Sequence, residues 1–287
     1  MFTNKMILSI ITINRNNATG LEKTIRSVLS QRMTDFEYII VDGASTDDSV
    51  RVIERYSSEF KGFMHWISEP DNGIYSAMNK GVQMASGSYV EFLNSGDCLM
   101  NDSVIERMYN ALEQSGYPSI LYGNMLKSMT DGKVIRDKCF AGQDITFLGF
   151  YNGTLNHSPA FIRRSLFDKY GLYDESLRIV SDWKWYMQAI ILGKERPVYT
   201  DLDVTLFDMT GISETNKDLD KKERQRVLTE LIPRSFLKDY DDWAFSIDQM
   251  KRLKRHPWAY KMVWFLERCI FKWEKYKRQR SNEVRFL

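Results

Sequence analysis

The chain has 287 residues, 43% hydrophobic and 27% charged, enough for one large domain with a smaller appendage and unlike a disordered or fibrous chain. The net charge of +2 conceals an asymmetry: from Lys251 onward 12 Lys and Arg face 3 Glu, a local +9 that leaves −7 on the rest. An acidic body without a binding motif argues against nucleic acid as partner, and Cys98, Cys139 and Cys269, with no CxxC pair, argue against a zinc site or a disulfide framework.

Met6 to Ile13 (MILSIITI) is a buried-strand pattern running into the polar loop Asn14-Arg15-Asn16-Asn17. The run is too short for a signal-peptide core, and no apolar stretch approaches a bilayer span. The expected location is therefore cytoplasmic, with the basic end able to rest on the membrane face. Leu21, Ile25, Val28 and Leu29 keep helical spacing. Phe36 to Val41 is a second strand ending at Asp42, and Ser45 or Thr46 is placed to cap the helix that carries Val50, Ile53 and Tyr56. Phe63 to Ile67 is a third strand, followed by Ser68-Glu69-Pro70-Asp71-Asn72-Gly73; Ile74 to Ala85 is helical and brings Asn79 and Lys80 late in its run. Tyr89 to Asp97 (YVEFLNSGD) is a short apolar strand ending in the turn Asn94-Ser95-Gly96-Asp97.

This β-α-β-α-β-α-β rhythm predicts an α/β fold with a mostly parallel central sheet, flanked by helices in a Rossmann-like manner. Ligands in such sheets bind at the carboxyl ends of strands, which here carry Thr12, Asn14, Asp42, Asp71 and Asp97. A carboxylate on the turn at Asp97 can reach a hard cation that also holds phosphate oxygens.

Beyond Asp97 the expected elements are a helix at Ser103 to Leu112, a strand at Ile120 to Tyr122 and a hairpin across Thr130-Asp131-Gly132 with its return strand at Val134 to Phe140. A glycine- and aromatic-rich loop follows, Gly142 to Gly153. His157 precedes a short apolar run, Ala160 to Ile162. Ser165 to Tyr170 is a helical turn or two, Ser181-Asp182 opens a helix through Leu192, and Pro197 to Tyr199 is a last strand. Asp203 to Asn216 is expected as a loop closing over substrate, before a polar helix from Asp218. In the tail, Trp258, Met262, Phe265, Leu266, Cys269, Ile270 and Trp273 recur at helical spacing among basic residues, a pattern suited to an anionic bilayer surface.

Four pieces of the chain, SIITINRN, VDGASTDDS, SEPDNGIYSAMNKGVQMASGSYVEFLNSGD and NHSPAFIRRSLFDKYGLYDESLRIVSDWKW, resemble family 2 glycosyltransferases of the GT-A fold, in the family's order and over about the first 200 residues. The third piece is most similar to bacterial enzymes of surface and capsular polysaccharide biosynthesis. The resemblance implies an inverting transfer from a nucleoside-diphosphate sugar, UDP-sugar favoured, to a hydroxyl of a glycan or lipid-linked glycan. It implies a GT-A domain at residues 1–215 and a basic helical extension at 216–287. Thr12 and Asn14 match the positions that meet base and ribose, and Asp42 matches the acidic residue at the base. Ser45, Asp71, Asn79, Ser95 and His157 fall in the matching pieces, and Arg15 and Lys80 are candidates to offset charge on the leaving diphosphate. Asp97 matches the last carboxylate of the family's metal motif, for Mg²⁺ or Mn²⁺, and Asp182 matches the catalytic base. Trp183 is a candidate to stack on an acceptor sugar. Two departures stand out: Gly43 replaces a second Asp, and Ser95-Gly96 leave one carboxylate in the metal motif. The reduced motif motivates a rival reading, an inactive sugar-nucleotide-binding scaffold of the same fold.

Overall fold

The computed structural model describes residues 7–129, 132–209 and 216–283. Its first half follows the predicted rhythm. Strands β1 (Leu8–Asn14), β2 (Phe36–Asp42), β3 (Met64–Ser68) and β4 (Tyr89–Phe92) alternate with helices α1 (Ala18–Leu29), α2 (Ser49–Ser57) and α3 (Ile74–Met84). β1 and β2 are buried along their whole length, which is why both are near-continuous apolar runs instead of alternating patterns. They pair in parallel with Ile10 opposite Tyr38, and β4 joins the other side of β1 with Glu91 opposite Ile10.

The second half turns the sheet back on itself. It comprises β5 (Cys98–Leu99), α4 (Val104–Gln114), β6 (Ile120–Ser128), β7 (Val134–Asp137), α5 (Phe147–Asn152), β8 (Ala160–Arg163), α6 (Ser165–Tyr170), α7 (Ser181–Tyr186) and β9 (Val198–Phe207). The strand order is β3-β2-β1-β4-β8-β6-β9-β5, with β7 on β6. β8 runs antiparallel to β4 and β6, while β9 runs parallel to β6 past an irregularity between Tyr122 and Asn124. α7 continues as a π-helical turn through Leu192.

Helices cover both faces. One face packs Leu21, Ile25 and Val28 of α1, Val52, Ile53 and Tyr56 of α2, and Ile105, Met108 and Leu112 of α4 against Leu8, Ile10 and Tyr38. The other carries an aromatic cluster in which Phe167 stacks on Trp185 at 4.6 Å and Tyr173 meets Phe92 at 5.6 Å. Each such side chain, fully buried, contributes about 1.5–3 kcal/mol.

Three expectations are corrected. The segment from Asp203 to Phe207 is strand, because Asp201 and Asp203 are held by Asn124 at 3.0 Å each and by Lys138 and Arg136; residues 210–215 of the expected loop lie outside the described residues. The loop at 142–153 contains α5, capped by Thr146, whose hydroxyl accepts from the Gly149 N–H at 3.1 Å. Ser45 and Thr46 do not cap α2; Asp47 does the nearby work, accepting from the N–H groups of Ser49 and Ala18. The hairpin residues Thr130 and Asp131, and Met6 of the first strand, also lie outside the described residues.

By its contacts the chain divides into a first unit ending at Val227 and a second beginning at Leu228. The first therefore takes in most of α8 (Lys217–Leu231), which the sequence analysis gave to the extension. The second holds α9 (Arg234–Lys254) and α10 (Pro257–Glu283). Among the described residues no helix is long and apolar enough to cross a membrane.

Candidate active site

A cavity of about 680 Å³ opens in the first unit where β1 and β4 end. That is the usual size for a small-molecule site.

On the β1 side, Asn14 is nearly buried and donates from its amide to Asp42 at 2.8 Å. Asp42 is fully buried and also accepts from the Ser45 hydroxyl (2.6 Å), the Ser45 N–H (2.9 Å) and the Ser68 hydroxyl (2.7 Å). Burial pushes the Asp42 carboxyl up, but these bonds outweigh it and hold the pKa below the ordinary value. Asp42 thus shapes the loop and offers no oxygen to solvent. Thr12 is likewise fully buried, donating to the Leu93 carbonyl at 2.6 Å and accepting from Tyr38. Neither is among the cavity-lining residues; Asn14, Arg15, Asp71 and Ser95 are. Gly43 explains its departure from the family pattern. A Cβ there would stand 2.4 Å from the Asp71 carboxylate, so the missing second Asp makes room for Asp71 at the cavity.

On the β4 side, Asp97 is 2% exposed. One carboxylate oxygen accepts from the Asp208 N–H at 2.9 Å; the other is buried without a hydrogen-bond partner. Burial, partly offset by the Asp208 N–H, raises its pKa to about 7. The Asp208 side chain lies against Gly96, where a Cβ would come within 2.8 Å of it and where φ is +107°; both features call for glycine. Among the described residues no three His, Cys, Asp or Glu side chains form a self-sufficient metal site. Two cavity-lining carboxylates, one with an unpartnered buried oxygen, nevertheless fit a hard divalent cation that takes most of its ligands from substrate phosphates and water.

The third group is Asp182 in the first turn of α7, where the helix dipole favours an anion. Its side chain is only 15% exposed. One oxygen pairs with His157 Nδ1 at 3.0 Å and the other accepts from the Tyr75 hydroxyl at 2.9 Å. Burial raises the Asp182 pKa, but the His157 contact and the Tyr75 bond more than reverse it, so the carboxylate stays ionised below the ordinary range. Burial lowers the His157 pKa; the bond to Asp182 overcomes it and the net shift is upward. The other ring nitrogen stands 3.3 Å from the Asn94 amide. With that amide donating, His157 is the neutral Nδ1–H tautomer. With the amide turned over, Asn94 Oδ1, otherwise buried and unpartnered, accepts from the imidazolium.

Other predicted residues stand elsewhere. Asn79 spends its amide on the Tyr173 backbone and on Glu175. Lys80 is bound to Glu69 at 2.7 Å and to the Pro70 carbonyl at 2.9 Å. In the structure both support neighbouring loops, and Ser45 supports Asp42. Trp183 lines the cavity, and Arg224 lies 4.6 Å over one face of its ring. Sequence reasoning missed Asp208, Tyr75, Asn94 and the α8 residues Lys217, Asp220 and Arg224, all lining the cavity. The only available signal was for Asp208, a carboxylate directly after a short strand-prone run, Val204 to Phe207.

A mostly parallel sheet with a carboxylate turn after β4 and a buried, hydrogen-bonded carboxylate facing the same cavity defines a GT-A-type transferase fold. A model described as glycosyl transferase family 2 matches residues 9–171. An uncharacterized glycosyltransferase of Mycobacterium tuberculosis is 32% identical over 218 residues, 73% of this chain and 78% of the relative. A PGL/p-HBAD biosynthesis glycosyltransferase of Mycobacterium bovis is 26% identical over 227 residues, 78% and 86% of the two chains. The chain belongs to glycosyl transferase family 2. Among solved structures, S. aureus TarS 1–349 in complex with UDP-GlcNAc superposes with a TM-score of 0.60 at 19% identity, over 73% of this chain and 61% of that one. The mannosyltransferase PcManGT from Pyrobaculum calidifontis, in complex with GDP-Man and Mn²⁺, gives 0.57 at 12% identity, over 76% and 61%. This chain spans less than two thirds of either solved chain, and the likeness is one of fold.

Proposed function

We propose that the protein is an inverting glycosyltransferase. It takes a sugar from a nucleoside-diphosphate sugar, a UDP-sugar in the first instance, and joins it to a hydroxyl of a glycan or lipid-linked glycan in polysaccharide biosynthesis. The observation that carries this reading is Asp182: an ionised, nearly buried carboxylate, fixed on both oxygens, in the same cavity as Asp97. The acceptor hydroxyl attacks the anomeric carbon as the diphosphate leaves from the opposite face. Asp182 takes the hydroxyl proton, and His157 and Tyr75 keep the carboxylate aimed. Arg15, exposed at the cavity, offsets charge on the departing diphosphate. A divalent cation, held by Asp97 and Asp208, would add Lewis-acid stabilisation there. The UDP preference is supported by TarS, solved with UDP-GlcNAc and with UDP. The acceptor class is supported by relatives named for PGL/p-HBAD and teichuronic acid biosynthesis.

Ligands that bind only the folded state raise its melting temperature by mass action. The test is a melting-temperature panel of UDP, GDP and their sugars with and without Mn²⁺. The expected result is a shift for UDP-sugars, enhanced by Mn²⁺, whose Mn²⁺ enhancement vanishes in Asp97→Ala. No shift with any nucleotide would overturn the reading, and binding without turnover of any donor would favour the inactive scaffold.

The same proposal places the enzyme on the cytoplasmic face of an anionic membrane through α10. Trp258, Met262, Phe265, Leu266, Ile270 and Trp273 are all exposed on one side of that helix, and Lys261, Arg268, Lys272 and Lys275 cluster along its flank. The full chain should co-sediment with vesicles containing phosphatidylglycerol and not with pure phosphatidylcholine, and high salt should weaken the binding. Equal binding to both vesicles, or to neither, would contradict it.

A further inference from the structure

Helix α8 lies outside the family match, which ends at residue 171, yet it reaches the loop that carries the base. Glu223 of α8 is only 8% exposed. Its carboxylate accepts three consecutive backbone N–H groups: Arg178 at 2.8 Å on one oxygen, Ile179 at 2.9 Å and Val180 at 3.3 Å on the other. Three peptide N–H groups converging on one point form an anion-binding nest, and here the protein fills it with its own side chain. The nest immediately precedes α7, whose second residue is Asp182.

The loop it fixes also holds a second partner of the base. The Tyr75 hydroxyl stands 2.5 Å from the Ile179 carbonyl and 2.9 Å from Asp182. Tyr75 has one proton for two acceptors. While Asp182 is a carboxylate, the hydroxyl can donate to it. Once Asp182 has taken the acceptor's proton, the carboxylic acid can donate to the Tyr75 oxygen, and Tyr75 can turn its own proton to the Ile179 carbonyl. The Tyr75 proton then has an acceptor both before and after the transfer, provided the Ile179 peptide stays in place.

We propose that Glu223 is a positioning residue for the transfer step: by clamping the peptides of residues 178–180 it holds the Ile179 carbonyl and the start of α7, and through them aims Asp182. The proposal rests on the reading of Asp182 as base. It also makes α8, with Lys217, Asp220 and Arg224 on the cavity wall, part of the catalytic body instead of an appended segment.

Two variants of the full chain test it, Glu223→Ala, which empties the nest, and Glu223→Gln, which keeps the shape and one acceptor oxygen. The first readout needs no turnover. The chain has three histidines, so each ring can be followed by NMR and His157 identified by its substitution. If the clamp aims Asp182, the His157 pKa should fall from its raised value toward the ordinary one, about 6.5, in Glu223→Ala and by less in Glu223→Gln. A change of fold stability alone would leave the His157 value of the folded protein where it was, and an unmoved His157 in a folded Glu223→Ala protein would overturn the proposal. The second readout is nucleoside-diphosphate release from UDP-GlcNAc, UDP-glucose and UDP-galactose. kcat should fall about 10–100-fold in Glu223→Ala with the donor KM nearly constant, as expected for a misplaced base, and Glu223→Gln should recover part of it. Full kcat in Glu223→Ala beside an inactive Asp182→Asn would overturn the clamp alone. Full kcat in Asp182→Asn would overturn the base assignment and the clamp together.

Discussion

In the parallel half of the sheet, β1 to β4, four polar side chains stand at or a few residues past the end of the strand that delivers them: Asn14 ends β1, Asp42 ends β2, Asp71 follows β3 and Asp97 follows β4. In the other half only Asp208, the residue after β9, is delivered so directly. His157 arrives from the segment before β8, Asp182 from the first turn of α7, and Glu223, behind the loop at 178–180, from α8. The contrast is one of span. The first half places the groups proposed for the donor side by local β-α turns. The second holds the proposed base, Asp182, through contacts such as Tyr75 to Asp182, 107 residues apart, and Ile179 to Glu223, 44 apart. A site whose two sides are assembled so differently should respond differently when each side is damaged.

The largest expected effect falls on the long-range side. Asp182→Asn keeps the shape and removes the proton acceptor, so kcat for a UDP-sugar should drop about 10²–10⁴-fold while donor affinity, read by melting-temperature shift, is retained. The reciprocal variant, Arg15→Ala, should weaken donor binding and leave the pH profile of kcat unchanged. If Asp182→Asn instead lost donor affinity with intact kcat, the division into a donor half and a base half would fail.

A smaller effect is expected within the parallel half, on stability. Glu91 of β4 is fully buried, with both carboxylate oxygens unpartnered, and burial pushes its pKa well above the ordinary value. Above the ordinary carboxylate pKa the unfolded chain gives up this proton and the folded chain keeps it. The folded state then binds more protons, so stability falls as pH rises through that window. Glu91→Leu should therefore raise the stability at neutral pH by about 1–3 kcal/mol and flatten its decline toward alkaline pH, as measured by urea unfolding at several pH values. A destabilised Glu91→Leu protein would mean that this carboxyl has a partner that packing alone does not supply.

The same contrast governs how much was legible in the sequence. The first four strands and three helices could be read because β1 and β2 are buried on both faces and their apolar runs end abruptly at polar turns. Asp97 and Asp182 could be picked out because they sit in motifs with a fixed local setting, and both line the cavity. The structural contacts of Asn79 and Lys80 were not legible, because a polar residue late in a helix near a site is consistent with a ligand contact and equally with a loop support, and Tyr173 and Glu69 are distant or unmarked in the sequence. From Asp203 onward β9 reads as a loop because Asp203 looks like a turn residue, and the partners that hold Asp201 and Asp203, namely Asn124, Arg136 and Lys138, are 63 to 79 residues away. That error hid Asp208. Glu223 carried no signal, since a glutamate in a polar helix is ordinary and its three N–H partners are set by tertiary packing.

The most direct test of an Asp182-assisted single displacement is the configuration of the product. The wild-type enzyme is mixed with UDP-GlcNAc, an α-linked donor, and the first-formed sugar is observed by NMR before mutarotation, with water as acceptor if no glycan is supplied. Displacement from the face opposite the diphosphate gives the β-anomer first. Appearance of the α-anomer first would contradict the single displacement and with it the role given to Asp182.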